Sequence, residues 1–194
     1  TLEYLTHLGE GESDKIVKDE DKRREGEKAD NEEQPQKRTH QKNIFENQTG
    51  ISYRKLFGKY LKGATEIEIE DPYIRYHYQF KNFMEFCSML ADIKSEGEEI
   101  KLTLKTSNEK ENIEDASKAF EEIKDSLESL GIFLEYQFKE NAHDRFNIAD
   151  TGWKILLGRG LDIFQKTDNA YDLAGIYQEK RKCKQTEITY LPNN

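Results

Sequence analysis

With 36% of its 194 residues charged and a formal net charge of -9, the chain is too polar to pack along its whole length, and its sign excludes bulk attraction to nucleic acid or an anionic membrane while leaving room for a local basic patch. Cys87 and Cys183 have no Cys-x-x-Cys spacing and the four histidines are scattered, so neither a metal site nor a disulfide framework is indicated, no cofactor is expected, and a reducing, cytoplasmic compartment fits. No apolar run approaches the roughly 18–20 residues that span a bilayer, and the N-terminus lacks a basic-then-apolar signal.

In chain order, residues 1–50 read as a charged flexible linker. Gly9 to Asn43 contains no aromatic residue and only Ile16 and Val17 as large aliphatics. Such a stretch buries too little apolar surface to offset an ordering cost of roughly 1–2 kcal/mol per residue. The chain opens on Thr1 rather than Met, so the expectation is a piece of a longer protein, tethered through this arm to what precedes it.

Residues 51–194 are expected to fold as one domain. Ser52 is placed to cap a short helix carrying Tyr53, Leu56, Phe57, Tyr60 and Leu61, which Gly63 closes. Ala64 to Glu70 alternates as a strand and Asp71-Pro72 ends it. Phe80, Phe83, Met84, Cys87, Leu90 and Ala91 recur at helical spacing; Ile100, Leu102 and Leu104 alternate as a second strand. Asn112 is placed to cap a helix whose stripe is Ile113, Ala116, Phe120, Ile123, Leu127 and Leu130, with Gly131 as its stop and a third, more buried strand from Ile132 to Phe138. Strand, helix, strand, helix, strand predicts crossovers onto a largely parallel sheet. Two short strands, His143 to Ile148 and Trp153 to Leu157, follow and are expected to pair as a hairpin at the sheet edge. A short helix from about Ala170 to Lys180 and a strand from Thr186 to Leu191 complete the α/β fold.

The segment that carries chemistry is His143-x-Arg145-x-x-x-x-Asp150, followed by a glycine turn. Residues i and i+2 of a strand face the same way, so His143 and Arg145 are expected on one side. An imidazole beside a guanidinium suits a phosphodiester, because Arg bonds phosphate in bidentate fashion and His serves as nucleophile or proton donor. Arg159, between Gly158 and Gly160, is a second candidate phosphate ligand, since flanking glycines let the backbone approach an anion. Arg75, just past the first strand, is a third, because open α/β sheets bind ligands at the carboxyl ends of their strands. On spacing alone, an ordinary surface strand with a turn Asp explains the first motif equally well. Trp153 reads as core, and His77 as a helical packing or surface residue.

The His143-x-Arg145-x4-Asp150 pattern resembles the phospholipase D signature, with arginine in place of the usual lysine. The longer run through Asp150-Thr151-Gly152-Trp153 and Gly158-Arg159-Gly160-Leu161-Asp162 resembles the phospholipase-D-like domain found behind microtubule-interacting-and-trafficking (MIT) domains. Tyr60 to Ala64 and Ile69 to Arg75 extend the resemblance to about Ile51 through Leu191. It implies a phospholipase-D-like fold, a mixed, mostly parallel sheet flanked by helices. It also implies binding of acidic phospholipid head groups, and dimerisation. There is no room for an MIT helical bundle before Ile51, so the expectation is a different host protein; this type of domain also resembles C-terminal extensions of bacterial Lon-related ATPases linked to phage-exclusion (BREX) systems, and a bacterial host of that kind is expected.

The superfamily reaction needs two histidines, and no second His-x-Lys or His-x-Arg motif is present. The expectation is a non-catalytic module in which His143, Arg145, Arg159 and Arg75 bind a phosphate of a lipid head group or nucleic acid, assembled as a homodimer. Two alternatives stand beside it: a dimeric single-motif phosphodiesterase or nuclease using His143, Arg145 and Asp150, and a structural oligomerisation domain.

Overall fold

The computed structural model describes residues 37–74, 76–107, 113–140, 143–167 and 172–193. Arg75, Asn112 and residues 1–36, the greater part of the expected linker, lie outside the described residues.

Among the described residues seven strands form one mixed sheet: β1 (His40–Ile44), β2 (Glu66–Glu70), β3 (Ile100–Ser107), β4 (Ile132–Lys139), β5 (Phe146–Ala149), β6 (Trp153–Leu157) and β7 (Thr186–Pro192). Their order is β1-β7-β6-β5-β2-β3-β4. A π-helical turn, Arg54–Gly58, runs into α1 (Lys59–Leu61), and two long helices follow, α2 (His77–Ile93) and α3 (Ile113–Glu128). β2, β3 and β4 are parallel because α2 and α3 each carry the chain back to the same end before the next strand. Ile67, Leu102 and Leu134 stand in one register row across them, as the alternation predicted. β5, β6, β7 and β1 then add in antiparallel fashion.

One sheet face carries the core. The row Leu104, Ile69, Asn147, Ile155 and Tyr190 is buried along its length, and Phe83, Phe86, Cys87 and Leu90 of α2 and Phe120 of α3 belong to the same core. Trp153 is 3% exposed, a core residue as expected. The opposite face is charged, with Lys105 bonded to Glu68 and Lys101 to Glu135.

Several elements differ from the sequence reading. β5 lies in the middle of the sheet, paired to β2, so the hairpin is not at the edge. The edge is β4, whose alternate residues are exposed. The other edge is β1, inside the stretch read as linker: His40 stacks on Tyr190 and bonds the Tyr60 hydroxyl, and Ile44 is 1% exposed. Its sequence, His-Gln-Lys-Asn-Ile, is too polar for a hydrophobic pattern to show it. Met84 and Leu130 are exposed, whereas Phe86 and Met89 are buried. The buried stripe of α2 is rotated toward Gln79 and Asn82, polar residues that a hydrophobic count leaves out. Between Leu173 and Lys180 the described chain makes two 3-10 turns rather than a helix.

Removing residues 1–49 takes away β1, the buried Ile44 side chain and a row of ladder bonds. Urea unfolding should show the chain from Gly50 less stable than the full chain by about 2–4 kcal/mol, mostly from hydrophobic burial and strand pairing. Equal midpoints would mean that β1 contributes nothing.

Candidate functional site

The site is built where the chain leaves β2 and enters β5. These strands are antiparallel, and one step beyond the Glu70–Phe146 pair lie Asp71 and Arg145. This edge also holds the carboxyl ends of β2 and β3, the place where open α/β sheets present ligands.

Asp71 is 4% exposed. One carboxylate oxygen accepts the Tyr73 amide at 3.0 Å and the other accepts the Leu161 amide at 3.0 Å. Burial pushes its carboxyl pKa up, against the pull of those two amides and of the Arg145 charge. Gly160 sits against this carboxylate with φ +61, and a Cβ there would fall inside it. Gly158 packs on β7, less tightly: its amide donates to the Glu187 carbonyl at 3.0 Å, and a Cβ would meet the Thr186 hydroxyl at 3.0 Å. The Gly-Arg-Gly block is therefore clamped at both glycines, and Arg159 between them is left on the surface.

Arg145 is held on two sides. Its guanidinium lies 4.4 Å from the centre of the Tyr73 ring, and NH1 donates to the Gly158 carbonyl at 2.6 Å. Its Nε is buried without a hydrogen-bond partner. Among the described residues no carboxylate lies within ion-pair distance of Arg145 or Arg159. A shallow depression of about 310 Å³ is lined by Arg145, Arg159, Gly158, Tyr73, Tyr76 and Tyr78, beside the start of α2.

His143 stands apart from this depression. β5 begins at Phe146, so His143 and Arg145 precede the strand and its two-residue alternation does not fix their directions. His143 is exposed and lines a neighbouring depression of about 400 Å³ with Lys154, Glu187 and Thr189. Arg145 and Gly158 form the wall common to both. Asp150 lies at the far end of β5, where its carboxylate accepts the Thr65 amide and, at 2.6 Å, the Thr65 hydroxyl. That pair ties the β5–β6 turn to the entry of β2. His77 opens α2 and lines the groove between α2 and α3, while His40 is engaged with Tyr60 and Tyr190. Neither lines the depression that holds His143.

Sequence reasoning gave Asp71 and Tyr73 no role in the site, reading Asp71-Pro72 as a strand stop within the stretch that carries the family resemblance. The available signal was an acidic residue at a strand's carboxyl end followed by Pro and an aromatic, which fixes a turn and places a ring beside it. Among the described residues no group of three or more His, Cys, Asp or Glu side chains is placed to hold a metal ion, and no helix is long and apolar enough to cross a membrane.

Residues 50–192 match the family described as the phospholipase D-like domain at the C-terminus of MIT. The chain belongs to this family. It is 39% identical over 151 residues to MIT domain-containing protein 1 of Mus musculus, an alignment that covers 77% of this chain and 60% of the murine protein. The chain thus spans less than two thirds of that relative. The clamped Gly158-Arg159-Gly160 block and the Asp71 turn both lie within the matched domain.

Gly160→Ala should place a methyl group against the Asp71 carboxylate in a backbone conformation that disfavours it, and lower stability by more than about 2 kcal/mol. Asp71→Asn should cost about 1–3 kcal/mol, because an amide has one oxygen for two backbone donors and turns its NH₂ toward one of them. Both are read from chemical denaturation, and unchanged midpoints would contradict the clamp.

Proposed function

We propose that this phospholipase-D-like domain is a phosphate-binding interaction module, and that Arg145 and Arg159 grip the phosphate. The observation that carries the reading is the state of Arg145. Its guanidinium is fixed by the Tyr73 ring and the Gly158 carbonyl, yet among the described residues no carboxylate bonds it: Asp71, which it attracts through space, gives its oxygens to the Tyr73 and Leu161 amides, and Asp162 in the same wall is held by Lys184. A cation already ordered for a ligand loses little rotamer freedom on binding, which is the main advantage of preorganisation. Arg159 supplies a second, surface charge from a backbone that the two glycines hold in place. His143 flanks the site across Arg145 and reaches only a ligand that extends over that wall.

In this reading the phosphate is bound and not cleaved. The phosphodiesterase chemistry of the superfamily needs a second histidine to protonate the leaving group, and among the described residues the other histidines, His40 and His77, do not line the depression that holds His143. Asp150 is engaged with Thr65 at the opposite end of its strand. In this proposal the ligand is an acidic phospholipid head group or nucleic acid, the domain acts as a homodimer, and it works as part of a longer MIT-type protein. The similarity to the murine protein gives no support to a Lon-related host.

Arg145→Gln or Arg159→Ala should weaken binding to anionic liposomes or to DNA, whichever the full chain binds, by about 1–3 kcal/mol, the cost of a lost charge-assisted bond. Binding should also fall with added salt. Wild-type affinity in both variants would refute the site, and phosphodiesterase turnover abolished by His143→Ala would establish the enzyme instead. Sedimentation equilibrium should give twice the chain mass; a monomer at high concentration would remove the dimer.

A further inference from the structure

Beside the Arg145–Arg159 depression lies a second cavity, of about 250 Å³, with four cations in its wall: Lys81, Lys166, Arg181 and Lys184. In a chain of net charge -9 such a concentration runs against the overall sign. Two of the four are committed to carboxylates. Arg181, its side chain 5% exposed, bonds both oxygens of Glu85 and donates to the carbonyls of Ala174 and Gly175. Lys184 donates to both oxygens of Asp162 at 2.7 Å. Each retains one N–H after those bonds, since a guanidinium has five and an ammonium three. Lys81 spends one donor on the Gly175 carbonyl and stands 3.9 Å from Glu85, which Arg181 already occupies. Lys166 is exposed and has no ion-pair partner among the described residues. Among the described residues four cations therefore face two carboxylates, and the excess positive charge borders a cavity whose wall also includes the buried Asn82.

The two depressions are contiguous. Tyr78 lines both, and Asp162, which lines the first, is the carboxylate that holds Lys184 in the wall of the second. Arg181 and Lys184 are fixed by their pairs, as Arg145 is by Tyr73, so the second cavity too is built before a ligand arrives. We infer that this cavity is a second anion subsite, and that the domain selects ligands bearing more than one phosphate, one held by Arg145 and Arg159 and another by Lys81 and Lys166 with the spare donors of Arg181 and Lys184. The two-phosphate selection rests on the function proposed above; the subsite itself rests on its own four cations.

The test is calorimetric titration of the full chain with inositol trisphosphate and with inositol monophosphate, for wild type, Lys81→Gln/Lys166→Gln, Arg145→Gln, and a control, Lys118→Gln/Lys124→Gln, which removes the same charge from the outer face of α3. The first double variant should weaken the trisphosphate about tenfold or more while leaving the monophosphate within about threefold, and the control should change neither. An equal loss in the control, or trisphosphate affinity unchanged in Lys81→Gln/Lys166→Gln, would overturn the second subsite. If Arg145→Gln leaves both ligands untouched while Lys81→Gln/Lys166→Gln weakens the trisphosphate, the Arg145 site fails and the cavity stands as an anion site without the bridge. Phosphatidylcholine liposomes with and without phosphatidylinositol bisphosphate, compared with the soluble trisphosphate, distinguish a membrane head group from a free ligand. The double variant's urea midpoint should match wild type, since both lysines are exposed.

Discussion

The site end of this domain depends on one buried carboxylate. Asp71 leaves β2, the strand at which the parallel and antiparallel parts of the sheet meet, as a buried side chain, and two backbone amides, those of Tyr73 and Leu161, receive its charge. Without them burial would strongly disfavour the ion. With them, Asp71 becomes the point at which two distant parts of the chain are joined: the turn after β2 and the loop after β6. Gly160 is required on two counts, because the carboxylate occupies the space a side chain would need and because its φ of +61 is one that other residues rarely adopt.

The consequences reach Arg145 by two short routes. The Tyr73 amide bond sets the turn that lays the Tyr73 ring against the guanidinium, and the Leu161 amide bond holds the loop whose Gly158 carbonyl accepts from it. Arginine suits this arrangement, because its planar cation can lie against a ring while a fixed N–H bonds a carbonyl and further N–H groups stay free for a ligand. The sheet supplies the frame, with the row from Leu104 to Tyr190 closing the core beneath. Asp150 and Thr65 lock the opposite end of the same hairpin. The motif's three residues thus serve one strand at its two ends, and only Arg145 faces the depression.

Much of the fold could be read from residue patterns. Ile67, Leu102 and Leu134 alternate in strands that flank amphipathic helices, and that order leaves little choice but parallel neighbours. β1 was illegible because its pairing depends on backbone bonds and on one aromatic stack rather than on apolar alternation. The position of β5 beside β2 is a long-range contact, and no local pattern encodes it. In the site, arginine and flanking glycines were legible as a phosphate-binding composition. The reason for the glycines was not, since it lies in Asp71, some ninety positions earlier in the chain. His143 and Arg145 looked like strand neighbours only because the strand's first residue cannot be fixed from sequence to within two or three positions.

The account's central claim is that a loop fixed by Asp71 presents Arg145 and Arg159 ready-made to a phosphate. Amide chemical shifts of the full chain, followed during titration with inorganic phosphate, test it most directly. The account predicts saturable shifts at Tyr73 and from Gly158 to Leu161, with the resonances of the Asp71 turn already sharp before phosphate is added. Shifts absent from that loop, or a loop that is broadened in the free protein and sharpens only on binding, would contradict it.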